Sequence, residues 1–273
     1  MTGSAGTDQS QHENRRADSD GQSLGIVVPA FQPDVDTLLT YVDALHDELQ
    51  PATLRVELDD PSDDVVAALA SLDADLHVSP YRRGKGAAIT AGFEALETDV
   101  LAFADADGST SPEEFSRIVA PVLDGEADLA VGSRRHPDAT VASHQTLARR
   151  YLGDGFAWLA RRMLDAELYD YQCGAKALSA STWEDVREHL YEPGFAWDVE
   201  LVAIAGALDR TVREVPIEWH DRPGTTVSPV TTTLALARAL IRARHRAKRL
   251  RESRLHLALK SRDDDTKALV HRR

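Results

Sequence analysis

Between Leu24 and Val131 five short strand candidates alternate with four stretches whose apolar residues recur every three to four positions. The candidates are Leu24–Val28, the weaker Arg55–Leu58, the short Leu76–Val78, the apolar run Val100–Ala104, and Asp128–Val131, each followed by Pro, Asp, Ser or Gly. Between them lie the sets Leu38/Tyr41/Val42/Leu45/Leu49, Val65/Val66/Leu69/Leu72, Ile89/Phe93/Leu96 and Phe115/Ile118/Val119/Val122. Strands alternating with one-faced helices bury themselves as a mostly parallel sheet with helices on both faces, so the fold class is α/β. In such sheets ligands sit beyond the carboxyl ends of the strands, and the first half reads as a nucleotide-binding unit.

The loops at those ends carry the chemistry. Asp105-Ala106-Asp107-Gly108 directly follows Val100–Ala104. Two carboxylates two residues apart present hard oxygen donors together; Mg²⁺ or Mn²⁺ bridging to a diphosphate needs one or two of that kind. The same residues also read as a solvated acidic turn in an Asp-rich chain. Ser111-Pro112-Glu113-Glu114 then opens a helix, with Ser as cap, Pro in the first turn and Glu114 placed to close a capping box; Ser62 is expected to cap the helix after Asp59-Asp60-Pro61. Arg82-Arg83-Gly84-Lys85-Gly86 is not a P-loop, because Ser79 stands where the first Gly belongs and Gly86 follows the Lys. A flexible basic turn feeding a helix N-terminus nevertheless suits an anion, through free N–H groups and the helix dipole.

The second half is less regular. A helix is expected over Leu147–Met163, and Val212–Trp219 alternates as a half-exposed strand. From Thr231 the chain turns helical and basic, with Leu234, Ala237 and Ile241 on one face and eight cationic residues from Arg238 to Arg254. The expected division is a disordered tail over 1–22, a folded domain over 23–230, a basic amphipathic helix over 231–260 and a frayed tail over 261–273. Such a helix either lies on an anionic membrane surface or packs on the acidic domain as a solvated helix.

Acidic residues outnumber basic ones 45 to 31, a net charge of −14, which argues against general nucleic-acid binding. Only five of the 31 are Lys, a bias that suits a salt-rich cytoplasm and that a GC-rich genome would also produce. Cys173 is the single cysteine, so neither an internal disulfide nor a thiolate cluster forms, and it is expected to be a small buried residue. No secretion pattern and no apolar stretch near the ~20 residues of a membrane span occur. The expected location is the cytoplasm, peripheral on the cytoplasmic face of the cell membrane.

Eight pieces, in order over residues 24 to 230, resemble the family 2 glycosyltransferases, in the branch of dolichyl-phosphate mannose and glucose synthases. They are Val27-Val28-Pro29-Ala30-Phe31, Asp59-Asp60-Pro61-Ser62, Arg83-Gly84-Lys85-Gly86-Ala87-Ala88-Ile89, Asp105-Ala106-Asp107-Gly108, Val131-Gly132-Ser133-Arg134, Gln172-Cys173-Gly174-Ala175-Lys176, Trp197-Asp198-Val199-Glu200 and Glu214-Val215-Pro216-Ile217-Glu218-Trp219. The resemblance implies a GT-A fold, a GDP- or UDP-hexose donor and a polyprenyl (dolichyl) phosphate acceptor, the product being a lipid-linked sugar of inverted anomeric configuration for protein or surface glycosylation. It implies that Pro29, Ala30 and Phe31 frame the nucleoside, that Asp59 or Asp60 meets the base, and that Lys85 with Gly86 serves the diphosphate. Asp105 and Asp107 would hold Mg²⁺ or Mn²⁺, with Ser109 where some relatives add a ligand. Arg134, Gln172 and Lys176 would line the sugar or acceptor-phosphate side, Asp198 would hold a sugar hydroxyl or a basic neighbour, and Arg149 or Arg150 is a looser candidate for the acceptor phosphate.

Two departures stand out: Phe31-Gln32-Pro33 replaces the usual Tyr-Asn-Glu, and Pro61 the usual Gly. The ten His residues form no ligand or triad pattern. Rival readings are a family 2 enzyme with another acceptor, a non-catalytic nucleotide-sugar-binding protein, and a sugar-nucleotide nucleotidyltransferase. The last places its basic glycine-rich signature near the first strand, whereas Gly84-Lys85-Gly86 comes about 60 residues later.

Overall fold

The computed structural model describes residues 21–141, 147–219, 229–252 and 266–272. Seven strands form one sheet: β1 (Leu24–Phe31), β2 (Thr53–Asp59), β3 (Asp75–Ser79), β4 (Val100–Ala104), β5 (Leu129–Ser133), β7 (Ala175–Ser179) and β8 (Val212–Pro216), in the order β3-β2-β1-β4-β7-β5-β8. Every pairing is parallel except those of β7, which runs antiparallel to both β4 and β5. The expected strand over Val212–Trp219 divides after Pro216: Glu218–Trp219 (β9) leaves the sheet to pair with β6 (Thr140–Val141).

Both faces are covered, so the strand period of two separates two cores. Ile26, Val28, Val56, Leu58 and Ala102 pack beneath α1 (Val35–Leu49) and α4 (Pro112–Leu123), through Leu38, Val42, Leu45, Phe115 and Ile118. Val27, Leu101, Phe103, Leu129 and Val131 face α3 (Lys85–Phe93), α5 (Leu147–Met163) and α7 (Trp197–Ala207). Two shorter helices, α2 (Asp63–Leu69) and α6 (Ala180–Val186), complete the connections before the last helix. Trp197 is a core residue, packed edge-on against Phe93 and Phe103.

Local capping follows the sequence only in part. Ser111 Oγ accepts from Glu114 N at 3.3 Å, but Glu114 does not return the bond; its carboxylate is taken by Arg117 and by Glu218 N. Ser62 occupies the cap position of α2 without a side-chain bond.

Every residue of α7 but Gly206 is buried, and a helix enclosed on all sides needs a cover on the face turned from the sheet. That cover is α8 (Pro229–Leu250), which packs Leu236, Ala239, Leu240, Ala243 and Ala247 into the same core. The expected Leu234/Ala237/Ile241 face is therefore not the packed one: Ile241 is 60% exposed, and the side chain of Leu234 lies outside those described. The basic stretch makes ion pairs with the acidic body. Arg242 pairs with Glu192, Arg246 with Glu200, Lys248 with Asp165 and Arg251 with Asp209. Arg254 and the expected tail over 1–20 lie outside the described residues. The chain end corrects another expectation: residues 266–272 are not frayed, because Leu269 is buried, its N–H donates to Leu190 O at 2.8 Å, and His271 meets Glu188. Among the described residues no helix is long and apolar enough to cross a membrane.

Candidate active site

An open pocket of ≈ 660 Å³ lies beyond the carboxyl ends of β1, β2 and β4, at the point where strand order reverses between β1 and β4. β1 contributes Pro29, Ala30 and Phe31; β2 contributes Asp59; the turn before α3 contributes Arg82, Gly84 and Lys85; β4 delivers Asp105 and Asp107. Two neighbours of these residues are absent from the lining. Asp60 is exposed with φ 50°, its N–H held by Ser79 O, and its side chain is not part of the pocket wall. Gly86 is buried behind the wall, where a Cβ would come within 2.5 Å of Trp197 Cβ and 2.6 Å of Glu192 O. Its lack of a side chain is what allows this close packing.

A row of alternating charges runs inward from the pocket floor. Lys85 Nζ lies 2.9 Å from Asp105 Oδ1 and 3.1 Å from Asp198 Oδ2, and Lys176 Nζ lies 2.6 Å from Asp198 Oδ1. Lys176, expected on the sugar or acceptor side, is 0% exposed and also donates to Cys173 O at 2.7 Å; it reaches no ligand surface. It comes from β7, whose antiparallel insertion turns this side chain into the core. Asp198 holds basic neighbours, one of its two expected roles. Burial pushes its carboxyl up, but Lys176 and Lys85 more than reverse this and hold it below the usual range. Burial likewise works against the Lys85 ammonium, and Asp105 and Asp198 overcome it, so Lys85 stays charged. Asp105 is raised: burial, with the like charges of Asp198 and Asp107, outweighs Lys85, although 35% of its side chain opens to the pocket.

The turn holding Lys85 is tied down by hydrogen bonds. Asp59 accepts from Arg83 N at 2.7 Å, Gly84 N at 3.0 Å and Arg83 Nε at 2.7 Å, while Ala87 N donates to Pro193 O at 3.0 Å. Asp59 and Pro193 O thus take up the N–H groups of Arg83, Gly84 and Ala87, while Arg82 and Lys85 bring the cationic side chains of this turn to the pocket. Gly84 sits at φ 97° with a Cβ position 2.6 Å from Pro193 O, which only glycine tolerates.

Arg134, at the end of β5, lies outside the pocket lining but near enough for its charge to act on Asp105. Its guanidinium grips Asp170 through Nε at 2.7 Å and Nη2 at 3.0 Å, and Gln172 N donates to the same carboxylate at 3.0 Å. Gln172 itself is partly buried and, like Arg134, absent from the pocket wall. The side chains of Arg149 and Arg150 lie outside those described. Burial raises Asp170, yet Arg134 brings its pKa down to about 2. A carboxyl depressed on folding contributes stability above its unfolded pKa and loses it as pH falls through the folded one. The pair is therefore expected to contribute about 2 kcal/mol near pH 5, fading between about pH 4 and 2. Urea unfolding of native and Asp170→Asn protein across that window checks this; a difference that does not shrink with falling pH rejects it.

The donor set suits a divalent cation. Asp107 is exposed, bonded through Oδ1 to Ser109 N at 2.9 Å, and close enough to raise Asp105. Among the described residues no group of three or more His, Cys, Asp or Glu could hold a metal. Two carboxylates are what a cation shared with a diphosphate requires, since phosphate and water complete its shell. Gly174 makes room for this arrangement: its carbonyl accepts from Asp105 N at 2.8 Å, and a Cβ there would overlap the Asp105 carboxylate.

Asp34, Thr37, Ala88 and Phe195 also line the pocket, and the sequence reading does not single them out. Phe195 is 56% exposed at the pocket mouth, on the irregular segment before α7. An aromatic residue following Pro193-Gly194 and preceding a helix was its available signal. Arg82 lies over the Phe31 ring at 4.1 Å, a second feature of the mouth. Burial pushes the Cys173 thiol up to about 11, in keeping with an inert core position.

The sequence model of the family "Glycosyl transferase family 2" matches residues 26–177, more than half of the chain. Glycosyltransferase AglD of Haloferax volcanii is 28% identical over 234 residues, covering 81% of this chain and 37% of that protein. Dolichyl-phosphate beta-glucosyltransferase ALG5C of Trichomonas vaginalis is 29% identical over 215 residues, covering 71% and 63%. The chain thus spans less than two thirds of either. Among solved structures, glucosyl-3-phosphoglycerate synthase from Mycobacterium tuberculosis with Mn²⁺, UDP-glucose and phosphoglyceric acid superposes with a TM-score of 0.63 at 17% identity, over 82% of this chain and 80% of that one. Mannosyl-3-phosphoglycerate synthase from Rubrobacter xylanophilus gives 0.61 at 17%, over 88% and 78%.

Proposed function

The chain belongs to glycosyl transferase family 2, and from that premise we propose that it moves a hexose from a nucleoside diphosphate sugar to a polyprenyl phosphate. The observation that carries this reading is the meeting of Lys85, Asp105 and Asp107 at one pocket, beneath Pro29, Ala30 and Phe31. Relatives named as dolichyl-phosphate glucosyltransferases support the acceptor, and the neighbour holding Mn²⁺ with UDP-glucose supports the donor and ion.

Asp105 and Asp107 would hold Mg²⁺ or Mn²⁺, which supplies positive charge to the diphosphate when bound. Phe31 packs the nucleoside and Lys85 takes up charge growing on the departing diphosphate. Arg134, oriented by Asp170 and close enough to Asp105 for their charges to interact, would receive the acceptor phosphate. That phosphate is largely dianionic near neutral pH, its second pKa being ~6, so its oxygen attacks without a strong base and no His is required. The product leaves with inverted configuration. A lipid acceptor brings the enzyme to a membrane surface, which is where we place it.

The test incubates the protein with Mn²⁺ or Mg²⁺, a polyprenyl phosphate and each of a set of GDP- and UDP-hexoses. We expect glycolipid from one donor and none after chelation of the metal. No product from any donor overturns the reading, and product only with 3-phosphoglycerate as acceptor replaces it with the small-molecule alternative.

Gly174→Ala is expected to keep the fold and lower turnover about 100-fold, roughly 3 kcal/mol, because the added methyl must displace the Asp105 carboxylate. Steady-state rates beside a circular dichroism spectrum check this; turnover within threefold of native rejects it.

A further inference from the structure

We propose that Arg242, on α8, is a positioning residue for Lys85, acting through Glu192. The turn bearing Lys85 rests directly on residues 192–194: Ala87 N donates to Pro193 O at 3.0 Å, and Cβ atoms on Gly84 and Gly86 would come within 2.6 Å of the carbonyl oxygens of Pro193 and Glu192. No gap separates the two segments, so a shift in one displaces the other.

The supporting segment has no regular secondary structure and is held by side chains. Glu200 Oε2 accepts from Tyr191 N at 2.7 Å and Glu192 N at 2.8 Å, and Arg246 pairs with the other Glu200 oxygen while its guanidinium lies over the Tyr191 ring at 4.4 Å. Those contacts fix residues 191 and 192. The Glu192 carboxylate is then drawn to α8 by Arg242, through Nε at 2.8 Å and Nη2 at 2.7 Å, whereas Arg246 stands 4.0 Å off. Past Glu192 the same segment supplies Pro193 to the Lys85 turn and Phe195 to the pocket mouth. A basic helix far along the sequence thereby sets two walls of the pocket.

The inference rests on reading that pocket as a diphosphate site, and the test separates the two. Arg242 is 42% exposed, so Arg242→Gln is expected to fold; Glu192→Gln gives a second variant, and Arg242→Lys keeps the charge. Hydrogen exchange without ligand is expected to quicken about tenfold at the Ala87 amide in both Gln variants. Affinity for UDP or GDP with Mn²⁺, measured calorimetrically, is expected to fall five- to tenfold, and Arg242→Lys to restore most of it at an unchanged melting temperature. Unaltered exchange at Ala87, or nucleotide affinity equal to native in both Gln variants, overturns the positioning role. If native protein binds neither nucleotide, the diphosphate reading fails, and the exchange result alone decides whether Arg242 braces the turn.

Discussion

Asp107→Ala is expected to lower turnover about 10³-fold, roughly 4 kcal/mol of transition-state stabilisation, while the protein remains folded. Asp107 is exposed and its carboxylate touches the protein through Ser109 N, so its removal disturbs one turn and no core contact. What it removes is half of the hard-oxygen pair at the end of β4. Asp105 cannot compensate, because Lys85 already sits at 2.9 Å from one of its oxygens. The defect should therefore appear as a loss of Mn²⁺-dependent nucleotide binding as well as of rate, with the melting temperature within a degree or two of native. Turnover that falls less than tenfold would remove Asp107 from the proposed ligand pair.

Lys176→Met is expected to produce the largest loss of stability, about 3–5 kcal/mol, or on the order of 10 °C in melting temperature. The row Lys176, Asp198, Lys85, Asp105 is neutral as built, and removing its innermost member leaves an uncompensated negative charge where no water reaches. Methionine fills nearly the same volume, so the cost is electrostatic and not a cavity. Removing both charges in Lys176→Met/Asp198→Leu should cost clearly less than the sum of the two single changes, since the partner left behind is what makes each single change expensive. Additive costs in that cycle, read by denaturant unfolding, would show that the row does not act as a unit.

The parallel half of this architecture is written plainly in the sequence, because β1, β4 and β5 are each a short apolar run ending in a turn residue, β2 alternates apolar with charged residues, and α1, α2 and α4 each show one apolar face. Part of the pocket could be read for the same reason, since Phe31, Asp105 and Asp107 stand at or just beyond the ends of β1 and β4, while Lys85 opens the helix after β3. β7 could not. Ala175–Ser179 carries a lysine at its second position, and a lysine in a five-residue segment looks solvent-facing until its partner, 22 residues on, is known. The same blindness to distant partners explains why the basic stretch of α8 did not declare its acidic neighbours. Two apolar stripes coexist on that helix, and only the position of α7 selects Leu236/Leu240/Ala243/Ala247 over the one containing Ile241. The bonds that Asp59 accepts from Arg83 N and Gly84 N are equally hidden in the sequence, because they belong to a loop whose course the sequence does not specify.

The enclosure of α7 bears on how the molecule matures during synthesis. Its two buried acids point to opposite neighbours, Asp198 toward the lysines of the site and Glu200 toward Arg246 of α8. A nascent chain released only as far as Trp219 would hold all seven strands of the sheet, yet the apolar α7 with an unmatched Glu200 carboxylate would lie bare along one side. Domains settle as units once their core can close. Here closure waits for residues through Leu250 to clear the ribosome, so the pocket, though encoded early, becomes competent late.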